Sequence, residues 1–288
     1  MMNSTLKTTF AVLIAIFAWG SAFVFIRIGV LGYSPGPLAL FRFFISSCLM
    51  GIFYLRLPIK HKPTLKEFVQ IFLIGFFGIA VYMVLLNYGE ITVSASISSF
   101  IIGMSPIVSL FWASIFFQEK INFENWLGVG VSVIGLLIIA MSRHNQGKLD
   151  EHVLFVLGAA VLGGIYNVAQ KPLIKKFHPV ELATLAAWSA TFALLFFLPK
   201  LIHEIPRATW HATSGIIYLG IIPGTIGYLA WSYTLNSKIP ASKLVLTLYA
   251  LPLISTLLGW IILDEIPPIL SLFGGVVALL GALIATRY

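Results

Sequence analysis

The sequence predicts an all-α integral membrane protein with ten transmembrane helices in two inverted five-helix repeats. Three observations predict it. The chain is 59% hydrophobic and only 10% charged, with mean hydropathy +0.99, whereas a soluble domain carries about 25% charged residues. Ten apolar segments can be drawn along it, and a helix needs about 20 such residues to cross a ~30 Å hydrocarbon core. A proline-broken segment in the first half returns in the second at an offset of 146 residues.

The segments run 8–31, 37–57, 66–88, 93–117, 122–142, 152–173, 179–198, 209–235, 240–264 and 268–286. The first follows a single lysine and lacks a small-residue cleavage signal, so it reads as a retained helix. Turn chemistry separates several of the others: Ser34-Pro35-Gly36-Pro37, Lys62-Pro63, His178-Pro179, Lys238-Ile239-Pro240 and Pro267-Pro268. The longest hydrophilic piece, Arg143 to His152, joins the halves, giving a first repeat over 1–145 and a second over 146–288.

The fourth segment shows the repeat best. Pro106 cannot donate a hydrogen bond, and its ring crowds the carbonyl of Ile102, so the helix should bend there. In hydrocarbon such a break is tolerated only where protein or a water-filled cavity surrounds it. At the offset of 146, Ala95-Ser96, Pro106, Ser109, Ile115 and Glu119 become Ala241-Ser242, Pro252, Ser255, Ile261 and Glu265. Gly78 and Tyr82 match Gly224 and Tyr228, and Gly128, Val131 and Gly135 match Gly274, Val277 and Gly281. Nearer the N-terminus the offset is 144, so that Arg27 and Pro35 match Lys171 and Pro179. Five spans per half is an odd number, so the second half must be inverted, which suits alternating access between two conformations.

Charge sets the topology. With the N-terminus inside, Lys7, Arg56, Lys60, Lys62, Lys66, Lys120, Lys171, Lys175, Lys176, Lys238, Lys243 and Arg287 face inward. Arg143, Lys148, Lys200 and Arg207 face outward, and Arg27 and Arg42 lie within spans. Twelve against four is a positive-inside bias that puts both termini in the cytoplasm and the protein in the cell (inner or plasma) membrane. The same placement in short loops, despite a net charge of +8, argues against nucleic-acid binding.

Cys48 is the single cysteine, which excludes an internal disulfide and a paired-cysteine metal site. There is no P-loop, HExxH, GxSxG or catalytic dyad, so no enzyme, cofactor or metal is expected. No aspartate, glutamate or histidine falls mid-span, which predicts flux down the solute gradient, or by exchange, without obligatory proton movement.

Ala18-Trp19-Gly20-Ser21, and Pro106…Glu119…Gly128 with its echo Pro252…Glu265…Gly274, resemble the drug/metabolite transporter superfamily and, within it, the EamA-type ten-helix exporters. The resemblance covers nearly the whole chain. It implies a central cavity lined by the first, third, fourth, sixth, eighth and ninth helices, with the fifth and tenth as supports. It also implies an exported small polar or amphipathic metabolite, with amino acids the first choice. One departure is Gly163-Gly164-Ile165-Tyr166 in the sixth span, where the first span has Trp19-Gly20.

Candidate residues follow from spacing and depth. Trp19, Phe23 and Arg27 share one helical face, reading as an aromatic wall with a cation or as packing plus a snorkelling arginine; the resemblance favours the cavity for Trp19. Arg42 lies about 8 Å inside the second span, and contact with an anionic substrate or a structural bond to helix-end carbonyls are both open. Tyr82 and Tyr228 are symmetric mid-span phenols, Trp231 shares the face of Tyr228, and Tyr166, Asn167 and Gln170 give the sixth span a polar stripe. Ser99 and Tyr249 add polarity to the fourth and ninth spans, and Pro106 and Pro252 are candidate hinges of the gate. Glu119 and Glu265, at span ends, read as caps or ion-pair partners before proton carriers. Gly128, Ser132 and Gly135, with Gly274, Ala278 and Gly281, form faces for close helix packing.

The expected function is thus a secondary transporter, monomeric or homodimeric, whose partners are a small-molecule substrate and the lipid bilayer. The alternatives are a permease for another solute, such as a nucleobase, vitamin or sugar derivative, and a non-transporting scaffold or accessory subunit.

Overall fold

A computed structural model describes residues 4–57, 60–117, 122–142, 151–235 and 247–285, and among these every regular element is helical. Helix α1 is Ser4–Gly29 and α2 is Pro35–Leu55. Helix α3 spans Leu65–Gly89, α4 comprises Ala95–Ile102 and Ser105–Phe117, and α5 is Phe123–Ser142. Helices α6, α7 and α8 span His152–Ile174, Pro179–Glu204 and Trp210–Leu235. Helix α9 is a tight turn over Leu248–Ala250 followed by Leu251–Leu263, and α10 is Ile269–Ala285. Seven of these are long and apolar enough to cross a membrane, and three shorter apolar helices are Phe123–Ile139, Leu248–Leu263 and Ile269–Ala285. Glu119, Lys120, Arg143, Lys148, Lys238, Pro240, Ala241, Ser242, Lys243 and Arg287 lie outside the described residues.

Local chemistry sets the helix starts. Pro35 and Pro179 both open their helices in the first turn, where a missing N–H goes unused anyway. Thr64 and Glu67 form a reciprocal capping box that starts α3. Glu67 also accepts from Lys176 Nζ at 2.7 Å, and buried Glu181 accepts the His61 N–H at 2.9 Å, so the α2–α3 and α6–α7 connections are tied. At the opposite end, the Ser34 N–H donates to Glu204 at 3.0 Å, joining the α1–α2 and α7–α8 connections.

Packing follows the repeat. Helix α1 lies against α8, α9 and the first half of α4, while α6 lies against α3 and both halves of α4. Helices α2 and α7 pack on each other, and α5 pairs with α10. The α5–α10 pair uses the small-residue faces expected from sequence. A Cβ on Gly128 would stand 2.2 Å from the Ala285 amide nitrogen, so the backbones meet there. Ser132 Oγ donates to the Ala278 carbonyl at 2.9 Å, and Asn125 Nδ2 to the Ala285 carbonyl at 2.7 Å.

Two distortions also repeat. Helix α3 widens into a π-helical turn over Phe76–Val81 and α8 does so over Ile222–Gly227, segments separated by the sequence offset of 146. Each ends directly before its tyrosine, Tyr82 or Tyr228. Such turns re-aim the side chains that follow and recur at functional sites.

The expected proline bends take another form. Helix α4 is interrupted at Gly103–Met104 and restarts at Ser105, and α9 restarts at Leu251 after its tight turn. Pro106 and Pro252 are therefore each the second residue of a new helix, where proline is well tolerated, and not the kink point of a continuous one.

Candidate functional site

The aromatic residues singled out from sequence gather between α1, α3, α6 and α8. Trp19 meets Tyr228 edge-on, with ring centroids 5.5 Å apart, and Trp231 at 5.4 Å. Its indole N–H donates to the Pro223 carbonyl at 3.2 Å, on the widened turn of α8. Tyr166 packs on Gly78, where a Cβ would fall 2.4 Å from the ring, so only glycine admits the phenol at the widened turn of α3. Trp19, Tyr82, Tyr166, Tyr228 and Trp231 all keep partial exposure although they lie deep in their helices.

Other candidates are used differently. Phe23 is buried in the hydrophobic core, and Tyr249 is nearly so. Ser99 Oγ donates to its own helix at the Ser96 carbonyl, 2.6 Å. The buried hydroxyls of Ser96, Ser98 and Ser105 have no protein partner. Asn167 is exposed, with Nδ2 3.4 Å from Ser109 Oγ, and Gln170 caps the long section of α6, half-buried.

The charged candidates separate into two groups. Arg27, at the end of α1, is engaged through two of its nitrogens: its Nε donates to Glu265 Oε1 at 2.8 Å, and its Nη1 donates to the carbonyls of Glu90 at 2.5 Å and Ile91 at 2.8 Å. Glu265 Oε2 accepts the Ala95 N–H at 3.1 Å, capping α4. This is the ion-pair reading of Glu265, and it closes α1, the α3–α4 connection and the α9–α10 connection over one end of the cluster. A cavity of about 540 Å³ opens beyond it, lined by Val30, Tyr33, Ser34, Ile91, Glu204 and Arg207 among others.

Arg42 is 2% exposed. Its Nη1 donates to Met83 Sδ at 3.3 Å, its guanidinium lies 5.5 Å from the Phe43 ring, and its Nε has no hydrogen-bond partner. The helix-end carbonyl bond held open from sequence is not made. Tyr82, Tyr228 and Glu90 are within its electrostatic reach.

Glu90 is the residue that sequence reading missed. It lies one position past the α3 span, where an acid ordinarily meets water, yet it is 0% exposed and neither carboxylate oxygen has a partner among the described residues. Burial pushes its carboxyl well above the usual range; Arg27 and Arg42 pull it back and Glu265 raises it further. The available signal was the run Asn87-Tyr88-Gly89-Glu90, a polar sequence at a span end that continues helically. Asn87 is itself buried, its Nδ2 donating to the Pro35 carbonyl at 2.9 Å.

Comparison with known proteins gives the family. The sequence model of the EamA-like transporter family matches twice, over residues 6–141 and 151–287. An uncharacterized transporter of Bacillus subtilis strain 168, YdfC, is 38% identical over 281 residues, covering 98% of this chain and 91% of the relative. A probable terminal-alkyne amino-acid exporter of Streptantibioticus cattleyicolor is 31% identical, covering 98% and 94%. A solved crystal structure at 18% identity superposes with a TM-score of 0.67 over 98% of both chains, which speaks to fold alone. The chain belongs to the EamA-like transporter family, in the drug/metabolite transporter superfamily.

Proposed function

We propose that this protein is a secondary transporter that exports amino acids by alternating access, through ten transmembrane helices in two inverted repeats divided near residue 145. The observation that carries the reading is the interior cluster of Trp19, Tyr82, Tyr166, Tyr228 and Trp231, two of whose phenols, Tyr82 and Tyr228, lie within electrostatic reach of buried Arg42. Aromatic bodies with polar tips hold a small amphipathic solute without trapping it, and a buried cation at membrane depth marks a solute pathway. Both termini face the cytoplasm of the plasma membrane, and the chain works as a monomer or homodimer with no catalytic step. Similarity to an amino-acid exporter supports the substrate class.

Purified protein in liposomes, assayed for flux across a panel of amino acids, nucleobases, vitamins and sugar derivatives, tests it. Saturable amino-acid flux is the expected result. Flux of another class alone would replace the substrate, and no flux of any solute would favour a scaffold.

A further inference from the structure

We propose that Arg42 and Glu90 are the two poles of a zwitterion site, Arg42 taking the α-carboxylate of an amino acid and Glu90 its α-ammonium. The inference deepens the transport reading above and rests on it.

Two buried side chains of opposite charge share one interior and are not paired with each other. An unpaired charge in a low-dielectric interior is costly, and proteins ordinarily neutralise it with a partner or a full set of hydrogen bonds. Here neither happens. Arg42 is held by Met83 Sδ and the Phe43 face, a weak acceptor and a ring that leave its charge uncompensated. Its Nε points to no acceptor. Glu90 is held through its backbone: its N–H donates to the Leu86 carbonyl at 2.9 Å, and its carbonyl takes Arg27 Nη1. Its carboxylate is left with four lone-pair sites and nothing to fill them. Each is within electrostatic reach of the other, yet they form no ion pair.

Charge balance selects the ligand class. Arg27 and Glu265 already neutralise each other at 2.8 Å, so the groups left unmatched are one guanidinium and one carboxyl that ionises when it meets a cation. A simple anion would answer Arg42 and be repelled by Glu90; a simple cation would do the reverse. A solute carrying both charged groups on one carbon answers both. The guanidinium fork matches a carboxylate bidentately, and a carboxylate accepts the three donors of an ammonium. Tyr228, within reach of Arg42 together with Tyr82, leads to Trp19 and through it to Trp231, an aromatic wall for the amino acid's side chain. Recognition through the shared α-groups with a soft wall for the remainder predicts broad tolerance of side chains.

The test uses the full-length protein in liposomes with each of the twenty common L-amino acids as a labelled probe. For each one moved, its amide, which lacks the carboxylate, and its N-acetyl derivative, which lacks the ammonium, are added as competitors. The parent should compete at least about tenfold better than either derivative, the scale of a lost buried charge contact. Glu90→Gln should abolish discrimination against the N-acetyl derivative alone, and Arg42→Gln discrimination against the amide alone, with melting temperatures checked in detergent. Should either variant fail to fold, wild-type competition decides. Derivatives that compete as well as the parent overturn the zwitterion site and leave transport standing, as does flux confined to solutes that lack either group. No flux of any solute overturns the transport reading itself, and this inference with it.

Discussion

Arg27 Nε donates to Glu265 Oε1 at 2.8 Å across 238 positions of chain, and with the Nη1 bonds to the Glu90 and Ile91 carbonyls this guanidinium ties α1 to the α3–α4 and α9–α10 connections. The pair is partly exposed, at 24% and 17%, so it contributes about 1 kcal/mol. By the repeat, its counterparts are Lys171 and Glu119, the latter outside the described residues. Glu265→Gln and Arg27→Gln should each raise several-fold the maleimide labelling rate of a cysteine at buried Val93, in a Cys48→Ser background. The exchanged pair, Arg27→Glu with Glu265→Arg, should partly restore protection. Unchanged labelling in both single variants would show that the tie is not a closure.

Glu90 gives a way to test the expectation of proton-independent flux. Its carboxyl titrates above the usual range because it is buried, with Arg27, Arg42 and Glu265 as the charged groups and Tyr82 as the phenol nearby. At low pH it is neutral and attracts an ammonium poorly; as pH rises through its raised value it ionises, and affinity for the amino acid rises. On the proposed site, binding would release a proton, and export would be linked to opposite proton movement. Half-saturation measured from about pH 5 to 8 should fall with rising pH in the wild type and be flat in Glu90→Gln. Parallel profiles would contradict the link.

Pro106 and Pro252 open restarted helices, so the interruptions before them are the expected hinge points. Alanine at either position supplies the missing N–H and lets the helix run through. Flux should fall about tenfold while substrate affinity changes little, the signature of a conformational step. Near-normal flux in both variants would make the interruptions passive packing features.

Gly128 meets the backbone of α10 directly, so Gly128→Leu must separate α5 from α10 and break the Ser132 and Asn125 bonds to it. A cost of about 1–3 kcal/mol is expected, seen as a lower melting temperature in detergent. Gly130 has nothing within 4 Å of an added Cβ, so Gly130→Leu should be harmless. Equal effects of the two would show that the contact carries no stability.

The charge bias predicts that cysteines at Asn145 and His61 react with an impermeant maleimide from opposite sides of the membrane. Asn145 lies outside the described residues, so this rests on charge alone. Labelling from one side would end the inverted five-plus-five arrangement.

Much of the architecture was legible because it is written locally. Apolar run length marks a spanning helix, Pro35 and Pro179 mark helix starts, and the small residues of α5 and α10 declare their faces at helical spacing. The offset that aligned Gly78-Tyr82 with Gly224-Tyr228 also located both π-helical turns, although nothing in the composition of Phe76–Val81 announces a widened turn. Trp19, Tyr82, Tyr228 and Trp231 were nameable as cavity candidates, but their meeting was not, since it depends on how α1 crosses α8. Phe23, on the same face as Trp19, went into the core.

Glu90 marks the limit most sharply. From sequence it is an acid at a span end, where water is expected. What buries it is the chain brought over it: Arg27, 63 positions earlier, and Glu265, on the far side of the repeat. Whether a charge meets water, a partner or an open site depends on which distant segments pack over it. Hydropathy and periodicity sum over neighbours along the chain, and neighbours in space exist only once the helices have packed.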